Sequence, residues 1–168
     1  VLAVVGESGC GKSAMCRAIL HLLPASASVS GEILVRGTDI RPYGAREMRR
    51  LRGSVFSMVF QDPMTALNPT MTVGAQIAEA VRLHDRRLSR EAVQARVGEL
   101  MNLVGIDRAA ERSRLYPHNF SGGMRQRAVM AIALAARPQI LFADEPTTAL
   151  DVTIQAQILD LLRNVQQK

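Results

Sequence analysis

Eight residues near the start of the chain have the types and the spacing needed to hold a chain of phosphates. The segment Gly6-Glu7-Ser8-Gly9-Cys10-Gly11-Lys12-Ser13 directly follows an apolar run at 1–5, and it fits the pattern G-x-x-x-x-G-K-[ST] between a strand and a helix. Its glycines let successive backbone N–H groups turn inward, and the positive end of the next helix adds to their attraction for anions. Lys12 can reach the β- and γ-phosphates, and the Ser13 hydroxyl can bind Mg²⁺. We therefore predict a nucleoside triphosphate site, in preference to an ordinary glycine-rich turn.

Two carboxylates follow the apolar run at 140–143. Asp144 is placed to bind Mg²⁺ beside Ser13, and Glu145 is placed to polarise an attacking water. Taken alone, an Asp-Glu pair after a strand is more often a helix cap or a solvated turn. Together with the upstream loop, the pair predicts one metal–phosphate site.

A second anion site is indicated by Ser121-Gly122-Gly123, which opens a helix. A small hydroxyl and two unobstructed amides lie there at the positive end of the helix dipole. A flexible turn or a simple N-cap is the alternative at such a sequence.

These clusters need an α/β scaffold to bring them together. Apolar runs and alternation predict strands at 1–5, 32–36, 55–60 and 140–143. Helical spacing predicts helices at 13–23, 45–52, 107–112 and 122–136. Three further helices are predicted from apolar stripes at helical spacing. The first buries Val73, Ile77 and Val81, and the second, capped by Ser89, buries Val93, Val97, Leu100 and Val104. The last carries Ile154, Ile158, Leu161, Leu162 and Val165 on one face.

The composition is that of a globular protein with an excess of basic residues. The 168 residues are 48% apolar and carry a net charge of +6, nearly all from arginine because Lys12 and Lys168 are the only lysines. No apolar run reaches the roughly 18 residues of a membrane-spanning helix. A disulfide between Cys10 and Cys16 would spoil the phosphate loop, so a reduced cytosolic setting is expected.

Two runs of arginine are candidate binding surfaces. Such runs could contact nucleic acid or an anionic bilayer, although a solvated face is the commoner explanation. Aromatic residues are only 4% of the chain and do not alternate with the arginines, which weakens the case for base stacking. We expect no nucleic-acid partner. The runs are Arg46, Arg49, Arg50 and Arg52, and Arg82, Arg86, Arg87 and Arg90.

In type and in order, these motifs resemble those of an ATP-binding-cassette ATPase. Residues 6–13 match the Walker A element, Gln61 the Q-loop glutamine and residues 142–145 Walker B. Residues 120–127 are similar to the family signature, although Phe120 and Met124 replace its Leu and Gln, and residues 148–151 match the D-loop. The sequence of residues 60–69, 116–118 and 144–157 resembles that of the ATP-binding subunits of bacterial dipeptide and oligopeptide importers. Nickel and glutathione importers share much of this sequence.

The resemblance implies a P-loop NTPase core of the RecA-like kind with an inserted α-helical subdomain. It implies that 1–61 form the first part of the core, 62–136 the helical signature subdomain with the Q-loop at its start, and 137–168 the part with Walker B and the D-loop. The family has an adenine-stacking aromatic upstream and a switch histidine downstream. We therefore expect a chain truncated at both ends, with an incomplete sheet, low stability and weak or no hydrolysis alone.

The resemblance also implies what each site residue does with ATP and Mg²⁺. Residues 6–13 would bind the phosphates, and Ser13, Gln61 and Asp144 would bind the Mg²⁺. Glu145 would be the general base, and Gln61 and Lys12 would also act in catalysis.

A head-to-tail dimer with a second ATP-binding subunit is implied as well. Ser121, Gly122 and Gly123 would meet the γ-phosphate held by the partner, and Asp151 would lie at the interface. Membrane permease subunits would contact residues 62–68, at the cytoplasmic face of the inner membrane.

Two other functions stay open at this point. A DNA-maintenance ATPase uses the same cassette, but such proteins place a long coiled coil or other domains where this chain has a short insert. A non-catalytic ATP-binding remnant is the second alternative. The presence of Lys12, Asp144 and Glu145 argues against it for the parent protein, whereas the expected truncation keeps it open for this chain.

Overall fold

The computed structural model describes residues 1–61, 63–147 and 152–166, and the side chains of 63 and 64 are also left undescribed. Helices predominate, and the strands are short. In chain order the elements are α1 Lys12–Ile19, β1 Leu34–Val35, β2 Thr38–Asp39, α2 Ala45–Leu51, β3 Phe56–Val59, α3 Pro63–Ala66, α4 Val73–His84, α5 Arg90–Leu103, α6 Ala109–Arg112, a 3₁₀ turn at Pro117–Asn119, α7 Gly122–Leu134, β4 Ile140–Ala143 and α8 Val152–Gln166.

The strands β3 and β4 lie side by side and run parallel, with Phe56 opposite Ile140 and Val59 opposite Ala143. The predicted strand at 140–143 is confirmed, and the one at 55–60 is shorter by one residue at each end. Because parallel strands end at the same edge of a sheet, Gln61 and the carboxylates after β4 emerge together. The ladder continues one step further, since the Asp144 N–H donates to the Val59 carbonyl at 3.0 Å.

The strand predicted at 1–5 is wrong. These residues have no strand assignment, and Leu2 and Val5 are 90% and 91% exposed. Apolar, β-branched residues favour a strand, but a strand also needs a partner edge that supplies its ladder hydrogen bonds. The first residue of the segment is instead tied to α8, where the Val1 ammonium donates to Gln166 Oε1 at 2.9 Å.

The strand predicted at 32–36 shrinks to a two-residue arm of a hairpin formed by β1 and β2. Arg36 and Gly37 form its turn with φ of 50° and 80°. Two successive left-handed residues match the twist of the flanking strands in a tight hairpin. The alternation seen in the sequence therefore ends in a turn before a longer strand can form.

Helix α1 ends at Ile19, about one turn before the predicted stop at Pro24. His21 adopts a left-handed φ of 52°, which the helix cannot continue through. The Arg52 guanidinium closes this end by donating to the Leu20 carbonyl at 2.7 Å and to the His21 carbonyl at 3.0 Å. A side chain 31 residues away thus terminates the helix.

The main core lies between α4, α5 and α7. The predicted apolar stripes of α4 and α5 are confirmed as buried faces, with Val73, Ile77, Val93 and Leu100 fully enclosed. Ser89 caps α5 as expected, accepting a hydrogen bond from the Ala92 N–H at 3.2 Å. Helix α8 joins the same core through residues that repeat at helical spacing, namely Ile154, Ile158, Leu161, Leu162 and Val165.

A smaller core lies beneath the phosphate-loop side of the molecule. Leu20, Ile40, Met48 and Phe56 are buried together, so α1, the hairpin, α2 and β3 share one apolar cluster. Within the described ranges, no helix is both long enough and apolar enough to cross a membrane.

Truncating Ile77 tests the main core. Ile77 is 0% exposed, so Ile77→Ala removes enclosed side-chain volume and should lower the free energy of unfolding by about 2–5 kcal/mol in urea titrations. Leu83→Ala on the same helix is the matched control, because Leu83 is 63% exposed. Equal losses from the two variants would contradict this packing.

Candidate nucleotide-binding site

The phosphate loop adopts a turn that its glycines make possible. Gly9 and Gly11 have φ of 81° and 99°, a region that other residues enter only with strain. Gly11 is the N-cap of α1 and offers no side chain to its amides. The first-turn N–H groups of α1 lack carbonyl partners inside the helix, and they therefore form an open anion-binding end.

The Lys12 ammonium lies within the loop that it is predicted to serve. Its Nζ donates to the carbonyls of Gly6 at 2.8 Å and Glu7 at 2.9 Å. A Cβ on Gly6 would come within 2.6 Å of Cys10 Sγ, so a larger residue there would require the Cys10 side chain to move. Two backbone carbonyls of the loop thus hold the Lys12 ammonium.

A hydrogen bond joins α1 to the end of β4 across 131 residues of sequence. The Ser13 hydroxyl donates to Asp144 Oδ1 at 2.7 Å. Asp144 is 5% exposed, and its Oδ2 is buried without a hydrogen-bond partner. An unpaired buried carboxylate oxygen is costly unless a cation or a donor meets it.

This donor set fits Mg²⁺. The cation prefers oxygen ligands and usually binds through one or two protein groups, with water and phosphate oxygens completing its shell. A hydroxyl bonded to a carboxylate, beside a phosphate loop, is such a set. The described residues contain no cluster of three or more His, Cys, Asp or Glu side chains suited to a metal.

The negative charge of Asp144 is also felt by Cys16 on α1. Burial raises the pKa of the Cys16 thiol, and the nearby Asp144 carboxylate raises it further. Both effects favour the protonated thiol, so Cys16 is a poor nucleophile.

Gln61 and Glu145 meet at the common edge of β3 and β4. The Gln61 Nε2 donates to Glu145 Oε2 at 2.9 Å. Glu145 has a φ of 46°, and a left-handed conformation at a residue with a side chain stores about 1–3 kcal/mol of strain. The parallel strands therefore hold the predicted Q-loop glutamine and the predicted general base within hydrogen-bond distance of each other.

The third cluster lies at the start of α7. Ser121 is its N-cap and accepts from the Met124 N–H at 3.3 Å, so the capping alternative for this residue is present. Gly122 and Gly123 supply first-turn amides. Within the part of the chain that the structure describes, no hydrogen bond joins these residues to the Lys12 loop. Asp151 lies outside the described residues.

Sequence reasoning assigned no role to the two arginines that come after this N-cap. The Arg125 Nε donates to the carbonyls of Pro117 at 2.8 Å and Phe120 at 3.1 Å, which fixes the segment leading into α7. Arg127 contacts two other helices. Their place in the family signature was the available signal, but which carbonyls they reach depends on the tertiary fold.

Comparison with known proteins gives one family and one fold. A family model described as "ABC transporter" matches residues 1–148. The oligopeptide transport ATP-binding protein OppD of Bacillus subtilis is 54% identical over 99% of this chain and 47% of its own length. The dipeptide transport ATP-binding protein DppD of the same organism is 55% identical over 99% of this chain and 50% of its own. The chain therefore spans about half the length of these curated relatives.

Solved structures agree. The ATP-binding cassette MJ0796, in a dimeric post-hydrolysis state bound to ADP and Pi, matches with a TM-score of 0.81 and 28% identity over 95% of this chain and 66% of its own. The protein cbiO1 from Clostridium perfringens, part of the cbiONQ ABC transporter complex, matches with a TM-score of 0.80 and 28% identity over 97% of this chain and 61% of its own. The predicted P-loop NTPase fold class is confirmed by these neighbours, and with the family match they lead to one conclusion: the chain belongs to the ABC transporter family.

Proposed function

We propose that this chain is the nucleotide-binding part of an ATPase subunit that energises peptide uptake through an ABC importer. The observation that carries the proposal is the Ser13–Asp144 hydrogen bond beside the Lys12 loop, which leaves a buried carboxylate oxygen unpaired. Support for the peptide class comes from the relatives that are about 54% identical, since these are oligopeptide and dipeptide transport proteins.

ATP would bind on the loop at residues 6–13. The first-turn amides of α1 would hold the phosphates, and the Lys12 ammonium would leave the Gly6 and Glu7 carbonyls to meet the β- and γ-oxygens. Ser13, Asp144 and Gln61 are the residues proposed to hold Mg²⁺ or its waters. When bound, Mg²⁺ neutralises charge that develops on the phosphates.

Glu145 is the proposed general base for the attacking water. Its bond to Gln61 suggests how it is kept in position before the nucleotide arrives, since a carboxylate held by an amide keeps its acceptor oxygens directed to one side. Replacement of Gln61 by the attacking water would then let Glu145 act as a base only when nucleotide is bound.

A second ATP-binding subunit is the proposed dimer partner. The open amides of Gly122 and Gly123, with Ser121, would complete the γ-phosphate site of that subunit, and Asp151 would lie between the two. One solved neighbour is described as a dimeric cassette with ADP and Pi, which supports this arrangement. Permease subunits at the cytoplasmic face of the inner membrane are the other proposed partners, with residues 62–68 as the contact.

The same proposal divides the chain into functional parts. Residues 1–61 and 137–168 would form the core that binds ATP, and residues 62–136 would form the helical subdomain that presents the signature. Nucleic acid is not among the proposed ligands.

Lys12→Ala is the first test of ATP binding. Losing one charge-assisted contact should weaken ATP binding about 10- to 100-fold. Thermal melting should be unchanged, because the two carbonyls that Lys12 contacts lie in an exposed loop. Titration with a fluorescent ATP analogue and a melt on the same samples measure both, and Arg17→Ala on α1 controls for lost charge. Equal affinity of the wild type and Lys12→Ala would refute the phosphate-loop assignment.

Asp144→Asn tests the cation site without requiring hydrolysis. The amide keeps an acceptor for Ser13 but removes a buried charge whose Oδ2 has no partner. We therefore expect a melting temperature equal to or above the wild type, together with loss of the gain in ATP affinity that Mg²⁺ produces. Asp160→Asn, at an exposed ion pair on α8, is the control. An undiminished Mg²⁺ effect in Asp144→Asn would exclude Asp144 from the site.

Glu145→Gln tests the general base on the full-length subunit. Removing a general base should reduce kcat by about 10²–10⁴-fold while ATP affinity is retained, because the amide still accepts and donates hydrogen bonds. Phosphate release at saturating Mg-ATP measures it, and Glu32→Gln at an exposed site is the matched control. Wild-type turnover by Glu145→Gln would assign the base to another residue.

A further inference from the structure

The Arg127 guanidinium bridges two helices from a third. From α7 it donates through Nη1 to the Val104 carbonyl at 2.6 Å and through Nη2 to Gln157 Oε1 at 2.7 Å. Val104 is the C-cap of α5, where a cation also meets the negative end of the helix dipole. The planar fork of arginine suits two acceptors in fixed directions, which a lysine ammonium could not reproduce.

Two glycines let this bridge form. At Gly105, with φ of 74°, a Cβ would lie 2.4 Å from Arg127 Nη1. At Gly123, a Cβ would lie 2.9 Å from Ile154 Cγ2 on α8. A side chain at Gly105 would displace the Arg127 guanidinium, and one at Gly123 would press against Ile154 on α8.

The contacts between α7 and α8 advance in the same direction along both helices. Gly123 meets Ile154, and one turn later Arg127 meets Gln157. Residues three or four apart share a helix face, so the two contacts belong to one seam, and both helices begin at the same end of it. Ile158 anchors α8 in the main core below that seam.

The beginnings of these two helices are both proposed functional ends. Helix α7 starts at the amides proposed to meet the partner's γ-phosphate, and α8 starts directly after residues 148–151, downstream of Asp144 and Glu145. We infer that the Arg127–Gln157 bond is a positioning contact that holds the amide end of α7 in place against the first turns of α8. This inference rests on the proposed ATPase function for its catalytic consequence.

The test uses single-residue variants of the full-length subunit. Gln157→Ala removes the acceptor, Gln157→Glu replaces it by a stronger one for a guanidinium, and Asn164→Ala deletes an exposed amide elsewhere on α8 as the matched control. Without nucleotide, hydrogen exchange of the amides at 122–124 should be faster in Gln157→Ala and unchanged in the other two. At saturating Mg-ATP, kcat should fall about tenfold in Gln157→Ala, with KM and the melting temperature unchanged, because a small misplacement of a phosphate-binding group slows chemistry more than binding.

Unchanged exchange at 122–124 in Gln157→Ala would overturn the inference, and so would a Gln157→Glu variant as impaired as Gln157→Ala. A loss of kcat that is matched by a rise in KM or a fall in melting temperature would also overturn it, because that pattern indicates general destabilisation. Failure of the proposed function is distinguishable, since it appears as a wild-type subunit without ATP turnover while the exchange difference persists.

Discussion

The parallel pairing of β3 with β4 is the constraint on which the site depends. These strands come from distant parts of the chain, and because they are parallel, the residues after each strand emerge at the same edge of the sheet. Gln61 and Glu145 meet there because of that pairing. The pairing also brings Asp144 to the start of α1, where the Ser13 hydroxyl donates to its carboxylate. Without this register, the phosphate loop, Gln61 and the two carboxylates, which are separate in the sequence, would remain separate in space.

Helices α4, α5 and α7 supply most of the buried residues of the main core, against which the strands pack. Fully enclosed side chains of α4, α5 and α7 form one core, and the buried face of β3 packs into it through Val59. Burial on this scale is the dominant favourable term in folding. The sheet of the site is short, and the helical core supports it by packing against β3.

The site combines features that cost stability with features that hold them in place. Asp144 has a buried oxygen without a partner, and Glu145 has a left-handed backbone. Such costs are concentrated at functional sites, where the surrounding structure enforces them. Here the enforcing contacts are specific: a hydroxyl for Asp144, an amide for Glu145, and an ammonium enclosed by the carbonyls of its own loop.

Local pattern by itself predicted phosphate binding by the loop at residues 6–13, and it determined the stripes of α4 and α5, the Ser89 cap and the position of the carboxylates after β4. Glycine content, helical period and capping act within a few residues, so they can be read directly. Only the tertiary structure decided that residues 1–5 make no ladder, that Arg52 ends α1, and that Arg127 meets Gln157. Each of these depends on which distant group is available as a partner. That availability is determined by the whole fold, so no local segment of sequence reveals it.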